Sequence, residues 1–292
     1  MSTEQLEIVN SNRFWRVLIY TVLIVGTLVY LLPVFVMVVT SFKSLAEIRQ
    51  GNMLALPVDA TLASWVDAWH TACIGLTCKG IKIFFLNSIR MVVPAVLISV
   101  GLGALNGYVL TKWRFRGHQW IFGMMLFGCF IPFQAVLVPM AQVLGKIGIA
   151  NSVTGLVFVH VVYGIGFTTL FFRNYYEAYP SELIKAAMID GAGFFKTFFR
   201  ILLPSSGPII VVSIIWQFTN IWNDFLFGAS FTSGDSLPMT VALNNLVNSS
   251  TGVKEYNVHM AAAMIAAIPT VIVYVLAGKY FVRGLMAGSI KG

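Results

Sequence analysis

The stretch PSELIKAAMIDGAG, Pro180 to Gly193, lies between two long apolar segments and is itself neither apolar nor loop-like. It sets Glu182, Lys185 and Asp190 around the pair Ala186-Ala187 and ends on Gly191-Ala192-Gly193. Pro180 and Ser181 read as a helix start, with Ser181 as N-cap and Glu182 in the first turn, where an acid suits the positive end of the helix dipole. Three- and four-residue spacing places Leu183, Ala186, Ala187 and Asp190 on one face. Gly191 and Gly193 supply the positive φ that closes a helix and turns the chain. A second helix is expected next, with Phe194, Phe195, Phe198, Phe199, Leu202 and Leu203 along one side and Lys196, Thr197 and Arg200 along the other. Pro204 and Pro208 then return the chain to an apolar segment. The result is a two-helix elbow with a small-residue tip. Alanine and glycine allow close approach, so the tip suits docking against a partner better than catalysis. An ordinary amphipathic helix at a membrane interface would carry the same spacing.

The flanking chain explains why such an elbow matters. Of 292 residues, 58% are hydrophobic and only 10% charged, against about a quarter charged in a soluble domain. The chain is therefore expected to be an integral membrane protein. A span needs about 20 mostly apolar residues, and six stretches qualify: roughly 15–40, 86–111, 120–143, 153–176, 205–227 and 259–282. The fold class is accordingly all-α, a polytopic membrane protein with one transmembrane domain over 1–292 and a polar connection at 177–204. The first apolar run is too long for a signal-peptide core and lacks a convincing cleavage site, so it reads as an uncleaved first span.

Charge sets the expected orientation. Six spans put both termini on one side, which carries Arg13, Arg16, Lys112, Arg114, Arg116, Arg173, Lys185, Lys196, Arg200, Lys279, Arg283 and Lys291. The other side carries Lys43, Arg49, Lys79, Lys82, Arg90, Lys146 and Lys254. Twelve bases against seven make the first side, with both termini and the elbow, cytoplasmic by the positive-inside rule. The net charge of +8 is read as this orientation signal, with no nucleic acid implied. On the outer side, Cys73 and Cys78 lie where oxidation is permitted, and the intervening Ile-Gly-Leu-Thr lets them bridge if it turns tightly.

Polar groups at membrane depth are costly and face an interior or a water-filled path. Gln134 stands beside Pro132, where a helix loosens. Trp216, Gln217, Asn220, Asn223 and Asp224 close the fifth span, with Trp216, Asn220 and Asn223 about one turn apart. Together they offer amide and carboxylate hydrogen-bonding partners and an aromatic plane on which a ring can stack. Interhelical hydrogen bonding and an interfacial tryptophan would use the same residues. Asn106 and His160 read as interhelical hydrogen-bonders. His70, His118 and His259 are scattered and form no metal set. No G-x-x-x-x-G-K-[ST] phosphate loop, H-E-x-x-H or recognisable Ser/His/Asp set is present, so an ATPase or an intramembrane enzyme is poorly supported.

The segment ELIKAAMIDGAGFFKTFFRILLPSSGP (182–208) resembles the cytoplasmic loop of permease subunits from binding-protein-dependent ABC importers. The family pattern has Glu-Ala-Ala, a following Gly and an apolar-Pro pair; here these are Lys185-Ala186-Ala187, Gly191 and Leu203-Pro204, with Lys185 where Glu is usual. SFKSLAEI (41–48), FFLNSIR (84–90), GYVLTKWRFRG (107–117), IPFQAVLVPM (131–140), IWNDFLFG (221–228) and FVRGLMAGSIKG (281–292) are similar to the maltose-type sugar-permease branch. CIGLTCKG (73–80), VHVVYGIGFTTLFFRNYY (159–176) and LNNLVNSSTGVKEYNVHMAAA (243–263) look most like glucose/mannose permeases. The resemblance implies the six-helix type I importer permease fold. It also implies half of a monosaccharide path, with Gln134, Trp216, Asn220, Asn223 and Asp224 as path residues. The elbow would be a coupling helix, with Glu182, Lys185, Ala186, Ala187, Asp190 and Gly191 meeting an ATPase subunit. The implied partners are a second homologous permease, two ATPase subunits that bind ATP and Mg, a periplasmic sugar-binding protein and the bilayer of a bacterial inner membrane. This chain would bind no cofactor of its own and would not be an enzyme. The alternative is an ion-coupled secondary sugar transporter, which would need an ionisable relay or a broken-helix pair at mid-membrane.

Overall fold

The computed structural model describes the backbone of residues 3–75, 77–113, 115–248 and 253–289, with side chains described between 13 and 278. Arg114, Lys291 and the side chains of Lys279 and Arg283, all counted in the charge reading, lie outside these, as does Leu76 between the two outer cysteines. The chain divides into two compact units, Met1–Ala72 with Ser250–Met264, and Cys73–Ser249 with Ile265–Gly292.

The first unit begins with α1 (Thr3–Ser41), apolar over most of its length, largely exposed from Arg13 to Phe35 and buried at its end, Val39 to Ser41. Lys43 follows and is buried, its ammonium donating to the Asn52 carbonyl at 3.0 Å. Helix α2 (Leu45–Arg49) is capped by Ser44, whose hydroxyl accepts from the Glu47 N–H at 3.3 Å. Phe42 packs on Trp65 of α3 (Ala63–His70) with ring centroids 5.7 Å apart. Asn257 donates to Ser64 at 2.9 Å, which ties a residue of the last long helix into this unit.

The second unit opens with a departure from the all-helical expectation. Cys73–Ile74 (β1) and Thr77–Cys78 (β2) form a two-residue antiparallel ladder. Gly75 at φ 63° helps turn the chain between them. Cys73 faces Cys78 across the ladder, and the two are disulfide-bonded. Helix α4 (Lys82–Lys112) follows. It packs along α7 (Val153–Glu177) more extensively than any other pair of elements. Small residues set that approach: a Cβ at Gly103 would stand 2.5 Å from the Thr168 hydroxyl, and one at Gly107 2.7 Å from the Phe172 Cβ. Glycines four apart let two apolar helices meet backbone to backbone where lipid gives no hydrophobic drive. Across this seam Asn106 donates to Thr169 at 3.2 Å and Thr168 to the Ser99 carbonyl at 2.8 Å. Met91, Val92, Tyr108, Val159, Phe172, Tyr176 and Trp222 centre the core.

Two of the expected spans are not single helices. The third is broken into α5 (His118–Cys129) and α6 (Phe133–Lys146), bent by 104°. Pro132, at φ −55° and ψ 131°, stands just before α6, where its ring and its effect on Ile131 favour extended backbone. The elbow follows α7 as α8 (Ser181–Ile189), then α9 (Phe194–Thr197), a π-helical turn (Phe198–Leu202) and α10 (Leu203–Ser205). The stretch Phe194–Ser205 meets α11 (Gly207–Trp222) at 78°. The fifth apolar run thus ends as helix at Trp222, short of the expected 227. Beyond it come α12 (Leu226–Phe231), α13 (Met239–Asn248) and α14 (Tyr256–Ser289). The Trp222 indole donates to the Ala266 carbonyl of α14 at 2.9 Å. Among the described residues, four helices are long and apolar enough to cross a membrane, or up to six if each bent pair is one crossing.

Candidate functional site

The break before α6 and the gap between α11 and α12 border one cleft. A pocket of about 310 Å³ is lined by residues from the start of α6, the middle of α7, the end of α11 and the start of α12. Where α11 stops, the backbone turns through Asn223 and Asp224 before α12 resumes. Irregular backbone at membrane depth is tolerated where protein buries it or where it borders a cavity.

The aromatic wall comes first. Phe133, Tyr163 and Phe227 form a mutual cluster with centroids 4.9–5.5 Å apart. Trp216 lies half-buried across the cleft, tilted 43° against Phe167 at 4.8 Å and edge-on to Phe171 at 5.4 Å. The polar groups face this wall. Asn220 spends its amide N–H on the Trp216 carbonyl at 2.8 Å, which leaves its carbonyl oxygen as an acceptor at the exposed rim. Asp224 accepts from the Phe227 and Gly228 N–H groups at 3.3 and 3.1 Å, capping α12, and its Oδ2 stands 3.7 Å from His160 Nε2. Gln217 is buried and donates to the His160 carbonyl at 3.3 Å. Gly164 opposite leaves room for the Gln217 amide, which a Cβ there would displace.

Of the expected path residues, Trp216, Asn220 and Asp224 line this cleft, and Gln134 and Asn223 do not. Asn223 sits beyond the last helical residue and folds its amide onto the Thr219 carbonyl at 2.9 Å; the helix has ended, so it no longer continues the Trp216–Asn220 face. Gln134 is exposed, and its neighbour Phe133 takes the inward position. His160 lines the cleft, although its sequence context read only as interhelical bonding. The missed signal was its turn spacing from Tyr163, Gly164 and Phe167, which share its face of α7.

The elbow is built differently from its sequence reading. Ser181 is the first helical residue and Pro180 holds the cap position. Ile184 and Ala187 face inward while Leu183, Ala186 and Asp190 face outward, because Ile184 packs into the core cluster. Glu182, Lys185 and Gly191 are exposed, as is Ile189, which is 86% exposed. The helix closes in a Schellman arrangement: the Gly191 N–H reaches the Met188 carbonyl at 3.0 Å and the Ala192 N–H the Ala187 carbonyl at 2.9 Å. That closure uses one left-handed residue, Gly191 at φ 76°. Gly193 has φ −73° and ψ −179°, an extended cap for α9 rather than a second left-handed turn. The phenylalanines also divide. Phe198 and Leu202 are buried and Phe194 partly so, while Phe195 and Phe199 stack outward with centroids 6.5 Å apart. Thr197 is buried and donates to the Ala192 carbonyl at 3.3 Å, against the expectation of an outer face.

Comparison with known proteins places this architecture. Residues 99–286 match the family described as binding-protein-dependent transport system inner membrane component. A probable ABC transporter permease protein of Pyrococcus horikoshii is 42% identical over 64% of this chain and 68% of its own. A xylose/arabinose import permease protein of Haloferax volcanii is 31% identical over 88% of this chain and 87% of its own. Among solved structures, a bacterial ABC transporter involved in import of the acidic polysaccharide alginate superposes with a TM-score of 0.80 at 21% identity. That match covers 93% of this chain and 98% of the other; the likeness is one of fold.

Proposed function

Because the chain belongs to the family of inner-membrane components of binding-protein-dependent transport systems, the non-enzymatic permease subunits of ABC importers, we propose that it forms half of the pathway for a glucose- or mannose-type monosaccharide. The observation that carries the cargo class is the cleft at the end of α11. There Trp216 offers an aromatic plane while Asn220 and Asp224 offer hydrogen-bonding partners within the same wall. An aromatic face stacks on the C–H side of a sugar ring, and amide and carboxylate oxygens accept from its hydroxyls. Among the described residues no lysine or arginine lines the cleft, so an acidic cargo would meet no counter-charge from them, and a neutral ring fits.

The other half of the path would come from a second, homologous permease. A periplasmic binding protein would deliver the sugar, and two ATPase subunits would carry ATP and Mg. The outward residues of α8, Leu183, Ala186 and Ile189 with Asp190 and Gly191, suit a seat in an ATPase groove: apolar, small and closed by a tight turn. The elbow and both termini would face the cytoplasm. ATP-driven closure of the ATPase pair would move α8, and the spans would rock between inward- and outward-facing forms.

The test is to purify the importer with its co-encoded subunits and identify by mass spectrometry the ligand its binding protein retains. Uptake of radiolabelled glucose and mannose is then measured in vesicles. A retained hexose with matching uptake is the expected outcome. A retained oligosaccharide would overturn the monosaccharide assignment, and a retained amino acid or peptide the sugar assignment as a whole.

A further inference from the structure

The last turn of α4 holds both arms of the elbow. Tyr108 and Lys112 are four residues apart, so they stack on one face of that helix. Tyr108 is fully buried, its ring 4.9 Å from Phe194 and 5.5 Å from Phe198, and its hydroxyl reaches the Phe194 carbonyl at 3.5 Å. It grips the descending arm. The Lys112 ammonium donates to the Tyr179 carbonyl at 2.6 Å and to the Ser181 hydroxyl at 3.2 Å. Tyr179 lies just past the end of α7, where unpaired carbonyls and the negative end of the helix dipole favour a cation. Ser181 opens α8. One ammonium therefore joins the ends of α4 and α7 to the start of α8, and a charge-assisted bond of that length is among the stronger polar ties a surface can offer.

The other end of α4 is clamped as well. Asn87 donates to the Asp235 and Leu237 carbonyls at 2.7 and 3.1 Å, and the Ser88 hydroxyl accepts from the Met239 N–H at 2.8 Å. Between the clamps α4 is one continuous helix of 31 residues, unbroken at Pro94, and so about 46 Å long. Two other apolar runs are bent by 104° and 78°, so α4, like α7 beside it, is an unbroken connector.

We propose that Lys112 is a positioning residue linking α8 to α4, and that α4 carries displacement of the elbow to the Asp235–Met239 segment at its far end. This rests on the reading of α8 as the ATPase seat. Motion is passed on only if the intermediate element has two arrangements that both ends bias, and a helix tied at each end by directional hydrogen bonds is shifted as a unit. Lys112 touches no cargo; it acts by holding the start of α8 against the end of α4.

The experiment measures hydrogen–deuterium exchange in the assembled importer, with and without ATP and vanadate, in peptides covering 181–189 and 235–243. In the native importer both peptides are expected to change on nucleotide trapping. In Lys112→Met the change at 181–189 persists, while that at 235–243 shrinks by at least about fivefold, the lower end of an ordinary coupling effect. Lys112→Arg restores it. A purely structural role would instead alter exchange without nucleotide and leave the nucleotide-dependent change intact. An unaltered response at 235–243 in Lys112→Met, or none there in the native importer, overturns the proposal. If Lys112→Met does not assemble, Lys112→Gln is read in its place, and failure of both to assemble overturns it too. Absence of any response at 181–189 in the native importer would strike the underlying reading of α8, a distinguishable result.

Discussion

Asp224 does two jobs that one substitution can separate. It caps α12 through the Phe227 and Gly228 N–H groups, and it presents its carboxylate beside His160 in the cleft. Asp224→Ala removes both roles and is expected to lower stability by about 1 kcal/mol for the lost cap, with loss of transport. Asp224→Asn keeps a capping oxygen and removes the charge, so thermal stability should hold while uptake falls several-fold. Wild-type uptake by Asp224→Asn would remove the carboxylate from the path. Packing at the α4–α7 seam gives a second residue-scale expectation. Gly107→Leu forces a side chain toward Phe172 and should cost about 1–3 kcal/mol, read as a lower melting temperature of the purified complex. Gly101→Leu, where a new Cβ meets nothing within 4 Å, is the control and should be nearly silent. Much of the cleft was legible in IWNDFLFG and the Trp216–Asn220 spacing. Turn spacing with Tyr163, Gly164 and Phe167 puts His160 on the cleft face, but its proximity to Asp224 was not legible, because it depends on how α7 packs against the end of α11.

At the scale of elements, the elbow was readable as two helices and a turn, but its facing was not. Ala186 and Ala187 are adjacent, hence about 100° apart around α8, and spacing alone could not decide which one turned inward. The core chose Ile184, and Ala187 followed. The helix breaks were hidden for a related reason: hydropathy sums across a kink without registering it, and only Pro132 hinted at the one in the third run. The turn itself is testable. Gly191 sits at φ 76°, so any L side chain costs about 1 kcal/mol in backbone terms. Gly191→Asp adds a second carboxylate next to Asp190 at the exposed tip. This variant should still insert and pair with its partner permease, yet lose co-purification of the ATPase subunit and uptake with it. Lys185→Glu, which restores the residue usual in the family, should be mild. Undiminished ATPase recovery with Gly191→Asp would remove α8 from the coupling role.

Across the whole molecule, the open question with the sharpest geometry is whether the α5–α6 pair crosses the bilayer. At 1.5 Å per residue the two helices are about 18 and 21 Å long. Bent by 104°, their outer ends stand only about 24 Å apart, against a hydrocarbon core of about 30 Å. That is short for a crossing, and a re-entrant loop would return the α6–α7 connection to the side it started from. Two observations argue for a crossing. The connection before α5 carries Lys112, Arg114 and Arg116 and the one after α6 only Lys146, the asymmetry the positive-inside rule expects of opposite faces. The bend also borders the cleft through Phe133, where broken helices are tolerated because they line a cavity. Single-cysteine reporters decide it, in a background with Cys129 replaced by Ala. Gly117→Cys and Gly148→Cys both lie at exposed turns with positive φ and open space around the added side chain. A membrane-impermeant maleimide added to intact cells is expected to label Gly148→Cys and to spare Gly117→Cys until the membrane is opened. Equal behaviour of the two sites would make the pair a re-entrant loop, change the crossing parity of everything after α6, and so reverse the side assigned to α8.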